Sequence, residues 1–235
     1  MATAIVTGGT RGLGRALVQH LTHEGWTVLF DARRHADVAR TLAEVERAGH
    51  SGEAIGIPGD IVDASPHAEL VAALGNRDLD LLVNNAGSLG PSPLPHLAEL
   101  DAVDVLALFT TNTVAPLALF RALRARLEDA HGVVVNISSD AAVQAYEGWG
   151  GYGASKAALD HISKVLAGEH PELTVYAFDP GDMRTDMHQA AFPGADISDR
   201  PAPERVVPSL MKLIDRRPPS GRYSVDEFSN QSIQR

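Results

Sequence analysis

No cysteine occurs anywhere in the chain, which removes three chemistries at once: a disulfide framework, a thiol nucleophile and a thiolate metal site. Basic charge is scarce too, with 20 Lys and Arg against 30 Asp and Glu and a formal net charge of −10. A field of that sign repels the phosphates of nucleic acid and of anionic membranes, so neither is expected as a partner. The 10 His form no cluster with ligand spacing. His20 and His23 can share a helix face, but read as an ordinary surface pair, and no metal is expected. Neither a secretory leader nor an apolar run long enough to span a bilayer is read here, and a soluble, cytoplasmic protein is expected. Its 235 residues can bury one substantial core and do not compel a second domain.

What is present begins with glycine. Ala2 to Thr7 is a short apolar, β-rich run, and Gly8-Gly9-Thr10-Arg11-Gly12-Leu13-Gly14 follows at once. Arg15 to Glu24 then reads as a helix with Ala16, Leu17, His20 and Leu21 along one stripe. Strand, glycine turn and helix is the context a dinucleotide site requires. The glycines let backbone N–H groups approach a pyrophosphate, and the helix N-terminus favours its charge. The spacing is Gly-x-x-x-Gly-x-Gly, not the commoner Gly-x-Gly-x-x-Gly, and a plain turn between strand and helix is the structural alternative.

Later, Tyr152-Gly153-Ala154-Ser155-Lys156 sets a phenol and an ammonium one helical turn apart on one face. Ser139, closing the apolar run from Val133, precedes Tyr152 by 13 residues. A neighbouring Lys favours phenolate, so Tyr152 is expected to titrate below its ordinary value of about 10 and to serve as a proton donor near neutral pH. Ser139 would hydrogen-bond the oxygen on which charge develops when a carbonyl is reduced. Ser138 and Tyr146 are the rival hydroxyl and phenol. The spacing favours Ser139, and no Lys lies four residues beyond Tyr146. Tyr-x-x-x-Lys also arises by chance on amphipathic helices, so its company decides.

Strands are expected near 2–7, 27–31, 53–57, 79–84, 132–138, 173–179 and 222–226. Helices are expected near 12–24, 35–48, 66–74, 100–128, 152–169 and 203–216. This alternation predicts an α/β fold: a single-domain, Rossmann-type, doubly wound parallel sheet of seven strands with helices on both faces. Ligands gather at the carboxyl ends of such strands, where Gly12, Asp31, Asp60, Asn84, Ser139 and Pro180 fall. Met187 to Pro203, rich in Pro, Ala and Asp, reads as a mobile substrate lid or a plain surface loop. Apolar stripes (Leu106, Phe109, Thr113, Leu117, Phe120; Leu159, Ile162, Leu166) mark two helices that either only pack on the sheet or also pair across a two-fold axis.

These residues together resemble the short-chain dehydrogenase/reductase family along nearly the whole chain. Thr7-Gly8…Gly12-Leu13-Gly14 matches its cofactor turn, with Thr10 and Arg11 inside it. Asp60 matches the acid that contacts adenine, and Asn84-Asn85-Ala86-Gly87 the motif ending the fourth strand. Asn112, 27 residues before Ser139, stands where the family places a fourth catalytic residue. Pro180-Gly181 and Thr185 match the loop that folds over the nicotinamide. The resemblance implies one domain over 1–235, with a cofactor half to about 131 and a catalytic and substrate half from about 132. It also implies a homodimer, or a homotetramer built from it. In the family register Ala32 takes the acidic position of NAD users. Arg33 and Arg11 take the basic positions of NADP users, so NADP(H) is expected. The alternative leaves Arg33 and Arg34 as solvated charges at a helix start. Asp31 also ends the second strand, one residue out of register; it should face the other way unless a bulge intervenes.

By the same resemblance, Tyr152 would protonate the carbonyl oxygen and Ser139 would hold it. Lys156 would bind the nicotinamide ribose and assist Tyr152, and Asn112 would support a water chain behind Lys156; alternatively Asn112 satisfies buried backbone groups. A narrower likeness, to the sepiapterin reductases of this family, runs through Asn84 to Gly90, Gln144…Gly148-Trp149…Tyr152, and Pro180-Gly181…Thr185-Asp186-Met187…Gln189. It implies reduction of a side-chain ketone or vicinal diketone. Leu89, Trp149 and Asp226 would then face the substrate, with Asp226 aligned after a one-residue offset; Trp149 could instead be packing. Two alternatives stand beside this: an oxidoreductase of the same fold acting on another ketone or alcohol, and a catalytically silent NADP(H)-sensing regulator.

Overall fold

The computed structural model describes residues 1–229; residues 230–235, inside the expected domain, lie outside the described residues. Its seven strands are β1 (Thr3–Val6), β2 (Thr27–Ala32), β3 (Glu53–Pro58), β4 (Leu81–Asn84), β5 (Val133–Ile137), β6 (Thr174–Asp179) and β7 (Gly221–Ser224). They form one parallel sheet in the order β3-β2-β1-β4-β5-β6-β7. The helices are α1 (Gly12–His23), α2 (His35–Ala48), α3 (Ala64–Leu74), α4 (Ala102–Phe109), α5 (Ala115–Asp129), α6 (Gly150–Glu169), α7 (Asp186–Ala191), α8 (Val207–Arg216) and α9 (Val225–Phe228). β1, β2, β4 and β5 are buried at every position, which is why they read as nearly continuous apolar runs without an alternating polar face: helices cover both faces. On one face Val6, Phe30 and Tyr176 meet Leu17 and Leu21 of α1, Val38 of α2 and Leu210 of α8. On the other, Ile5, Leu29 and Val134 meet Leu70 of α3, Leu119 of α5 and Leu166 of α6.

Four expectations change. The helix expected over 100–128 is continuous but widens to a π turn at Thr110–Val114. Pro116 lacks the N–H that would bond the carbonyl of Asn112 four residues back, and a wider turn accommodates that loss. The stretch Ala102–Asp129 is also long and apolar enough, by length and composition, to cross a membrane, with mean hydropathy 1.6 over its best window; no such run was expected. Its inner face packs on the sheet, while Val103, Leu106 and Val114 stay more than half exposed. The last strand stops at Ser224 because Ser224 and Glu227 form a reciprocal capping box that starts α9, so Asp226 is helical. Met187–Pro203 begins inside α7. Thr185 caps that helix by accepting the His188 N–H (3.1 Å), and the Gln189 amide donates to the carbonyls of Phe192 (2.9 Å) and Ala195 (3.1 Å). This is a pinned segment, not a bare loop.

The centre of the sheet is joined by side chain as well as by ladder. Thr7 Oγ1 accepts the N–H groups of Asn85 and Ala86 (2.9 Å each), and Asn85 Nδ2 donates to Thr7 O (2.8 Å). Gly14 slides against this junction: a Cβ there would lie 2.3 Å from Gly8 O and 2.5 Å from Asn85 Nδ2. Gly14→Ala is therefore expected to cost about 1–3 kcal/mol by overpacking. Thermal unfolding would register this as a Tm lower by several degrees; an unchanged Tm would mean that the turn yields.

Candidate active site

Gly8 (φ +67) and Gly12 (φ +50) bend the chain through the left-handed region that favours glycine, delivering α1 with its N-terminus towards the carboxyl edge of the sheet. No side chain caps that helix, so its first N–H groups are available to an anion. Thr185 lies over Gly12, its Cγ2 3.3 Å from where a Cβ would stand, and Arg11 pairs with Asp186 at 3.8 Å. The start of α7 thus roofs the glycine turn.

β2 pairs with β3 without a bulge, Asp31 opposite Ile57 and Ala32 opposite Pro58. Asp31 keeps its out-of-register facing. Its buried carboxylate accepts the Gly8 N–H at 3.0 Å. Burial pushes its pKa up to about 7, against the pull of that bond, with Asp60 adding to the rise. Asp31 is a strut beneath the turn. Beyond it, Arg34 is held by Asp37, while Arg33 is exposed and makes no ion pair among the described residues. Asp60 is half-buried after Gly59, and its Oδ1 accepts the Val62 N–H at 3.3 Å.

Ser139 caps a short 3-10 turn, Asp140–Ala142. Its Oγ donates to Asp140 Oδ1 (3.0 Å) and accepts the Ala141 N–H (3.2 Å). Tyr152 and Lys156 are both buried on α6, and Lys156 Nζ sits 5.7 Å from the centre of the Tyr152 ring. The expected lowering of the phenol pKa is reversed. Burial raises it well above the ordinary value; the Ser139 hydroxyl pulls it back in part, and the charges of Asp179 and Asp140 push it further up. Lys156 contributes nothing to that pull; burial lowers its own pKa to about 8, opposed by Asp160, and its ammonium donates to Ile137 O at 2.7 Å.

Asn112 is fully buried in the π turn. Its Oδ1 accepts the Ser88 N–H (2.8 Å), and its Nδ2 donates to Ser88 O (2.8 Å) and Ser155 Oγ (2.9 Å). That is the structural alternative given for it above: the side chain satisfies buried polar groups and ties the Gly87–Ser88 segment to α6. Gly87 lies between it and Lys156, with a Cβ position 3.3 Å from Asn112 Oδ1 and 3.6 Å from Lys156 Nζ.

Around Tyr152 a small apolar cluster gathers Leu89 and Ala141, with Leu94, Trp149, Ala190 and Ala191 packed against it. Trp149 meets Tyr152 edge-on at 5.7 Å and Phe192 at 6.1 Å, and Phe192 in turn lies 5.0 Å from His188. Leu94, His188 and Phe192 are additions that no sequence pattern singles out, although His188 and Phe192 fall in Met187–Pro203, which reads in sequence as a substrate lid or a plain surface loop. Asp226 is not in this group. It sits exposed on α9, next to Val225, which lies against Gly181. An open cavity of about 560 Å³ shares Ala141 and Trp149 with this wall but is lined by none of Ser139, Tyr152 or Lys156. Among the described residues, one group with metal-like spacing, unexpected from the sequence, brings together Glu128, His170 and Glu172. Arg124 bonds both Glu128 oxygens, so this is an ion-pair network, not a built metal site.

An uncapped helix behind a glycine turn, facing the half-buried Ser139 and the buried Tyr152 and Lys156 across the carboxyl edge of a 3-2-1-4-5-6-7 sheet, defines a dinucleotide-dependent oxidoreductase. The family model for short chain dehydrogenase matches residues 2–196, and the chain belongs to that family. It is 36% identical over 190 residues to serine 3-dehydrogenase of Agrobacterium fabrum, covering 79% of this chain and 73% of that one. It is 34% identical over 199 residues to sepiapterin reductase of Bos taurus, covering 80% and 74%. Among solved structures it resembles a Shigella flexneri short chain dehydrogenase complexed with NADP (TM-score 0.86, 26% identity, 96% and 97% covered). It also resembles one from Escherichia coli CFT073 complexed with NADPH (TM-score 0.85, 27% identity, 95% and 96% covered).

Because the folded pKa of Asp31 lies above the unfolded value of about 3.9, its ionisation costs the fold stability. That penalty is absent below about pH 4, grows until about pH 7 and is constant above. Asp31→Asn keeps an acceptor for Gly8 and removes the titration. Its Tm should exceed the parent's at pH 8 and match it near pH 4; equal Tm values at both pH values would refute the strut's titration.

Proposed function

We propose that the protein is an NADPH-dependent carbonyl reductase, acting on ketones or vicinal diketones in the manner of the sepiapterin reductases it resembles. The observation that carries this is the placement of Tyr152: a buried, protonated phenol on α6, with Lys156 one turn further along the same face and the Ser139 hydroxyl directed at it. The glycine turn would hold NADPH, whose chemistry when bound would be to supply a hydride for a carbonyl carbon. Tyr152 gives its proton to the carbonyl oxygen, and Ser139 turns its hydroxyl from Asp140 to the same oxygen. Lys156 would hold the nicotinamide ribose, and Asn112 fixes the Ser88 segment beside it. Gly8, Thr10, Arg11, Gly12, Leu13 and Gly14 would cradle the pyrophosphate. Asp60, Asn85, Ala86 and Gly87 would border the adenosine side and the nicotinamide, and Pro180, Gly181 and Thr185 would cover the cofactor.

The uncommitted Arg33 and the committed Arg34 support NADP(H) over NAD(H): only the former can swing to a 2′-phosphate without breaking an ion pair. Leu89, Trp149 and Phe192 offer a flat apolar wall to a planar or small ketone. The whole chain, 1–235, is read as one functional unit, with α7 and the segment after it as the cover over the substrate. The exposed Val103, Leu106 and Val114 support a homodimer built on the long helix, and a chain without cysteine accords with a cytoplasmic setting. A second reading, oxidation of another alcohol, draws on the likeness to serine 3-dehydrogenase. A silent sensor has no need of an intact Ser139, Tyr152 and Lys156.

NADPH oxidation against sepiapterin and several vicinal diketones tests the proposal. Tyr152→Phe should lose about 10²–10⁴-fold in kcat with NADPH binding intact. Retained turnover would remove Tyr152 as the acid, and no turnover of any of these substrates by the parent would remove the reductase. Arg33→Ala should weaken NADPH about tenfold and NADH hardly at all, measured by fluorescence titration. A lower KM for NADH than for NADPH in the parent would reverse the cofactor assignment.

A further inference from the structure

The mechanism leaves one strongly connected group unused. Arg222, on the edge strand β7, sends its fork into three separate elements. Its Nε donates to Asp160 Oδ2 on α6 (3.0 Å), and its Nη2 donates to Ser139 O at the end of β5 (2.9 Å) and to Asp179 Oδ2 at the end of β6 (3.1 Å). Each of these partners adjoins the chemistry. Ser139 carries the hydroxyl of the site. Asp160 lies one helical turn beyond Lys156 on the same face. Asp179 precedes the Pro180–Gly181 turn and accepts the Gly181 N–H on its other oxygen at 3.0 Å.

We propose that Arg222 is a positioning residue of the active site, fixing the backbone of Ser139 and balancing the two carboxylates, Asp160 and Asp179, that flank Lys156 and Tyr152. The proposal rests on the Ser139–Tyr152–Lys156 assignment above. Its geometry needs an arginine: a planar fork reaches several acceptors at once, whereas a Lys ammonium in the same place is a single point. The charges around the pair are few. Asp140 stands at the end of β5, Asp179 on β6, Asp160 on α6 and Arg222 on β7. Asp160 raises the Lys156 pKa, and Asp179 and Asp140 raise that of Tyr152. Arg222 is the cation that bonds two of these three acids, so its removal leaves both acting unopposed.

A substrate-free measurement separates this from the reductase assignment. The chain has three lysines, Lys156, Lys164 and Lys212, so protein carrying ¹³Cε-lysine gives three resolvable titrations by NMR; the signal missing from Lys156→Met identifies Lys156. In Arg222→Gln the Lys156 midpoint should rise by about half a pH unit, the order of a unit charge acting across about 10 Å of moderately polar surroundings. Asp160→Asn should move it down, which keeps the test decisive if Arg222→Gln fails to fold. Arg222→Lys should leave the midpoint near the parent's, since the charge is kept. It should still lower kcat about tenfold with little change in KM, because the Ser139 anchor is lost. An unmoved Lys156 midpoint in both folded Arg222→Gln and Asp160→Asn would overturn the balancing role. A parent-like kcat in Arg222→Lys would overturn the positioning role. Absence of ketone turnover in the parent strikes the reductase assignment alone, because the lysine titration still reads the clamp.

Discussion

The hydroxyl of Thr7 governs more of this molecule than any other single group. It accepts the main-chain N–H groups of both Asn85 and Ala86, and so pins the end of β1 to the end of β4. In the strand order β3-β2-β1-β4-β5-β6-β7, that is where successive connections change direction and the sheet opens a crevice at its carboxyl edge. A glycine turn can sit in the crevice only because its neighbours leave room. Asn85 fills the space a Gly14 side chain would need, and Asp31 props Gly8 from below. The open N-terminus of α1 follows from these contacts.

A second polar thread runs through the other half. Asn84 donates to Asn136 Oδ1 (2.7 Å), Asn136 donates to Ser163 Oγ (2.8 Å), and Ser163 donates to Leu159 O (2.8 Å), all buried. Buried amides are costly unless paired, so the thread fixes one register of β4, β5 and α6. Tyr152 and Lys156 inherit their place from it. Thr113 adds a further tie, donating to Ser155 O at 2.9 Å. The reacting groups are thus held by polar contacts that never touch a substrate.

Much of this was legible in the sequence because it is written in local pattern. Apolar runs buried on both faces gave the strands, glycine spacing gave the turn, and the four-residue interval from Tyr152 to Lys156 gave their shared face. What escaped notice depends on distant partners. The titration of Tyr152 follows its burial, not its neighbour in the helix. Leu94, His188 and Phe192 reach the wall around Trp149 only through the path of the Leu94 loop and the placement of α7, which carries His188 and ends at Phe192. Pro116 could be seen in the chain, yet its consequence, a widened turn around Asn112, appears only once the helix has to run on through it. Asp226 had the right neighbours in sequence, and the capping box between Ser224 and Glu227 moved it off the expected strand.

That widened turn also makes residue count a structural quantity. Each residue rotates an α-helix by about 100°, and the π turn at Thr110–Val114 absorbs one residue more than a regular turn would. Upstream of it Val103 and Leu106 face outward; downstream of it Leu119, Phe120 and Leu123 face the sheet. Deleting one residue here would return the turn to ordinary α geometry and leave later side chains on their faces, whereas deleting one from the regular turns on either side would rotate everything beyond it by about 100° and pull the inner stripe off the sheet. An added residue in the loop at His131, outside the helix, would rotate nothing. The long helix therefore has a preferred length between its two surfaces, as strict as any preference for residue type.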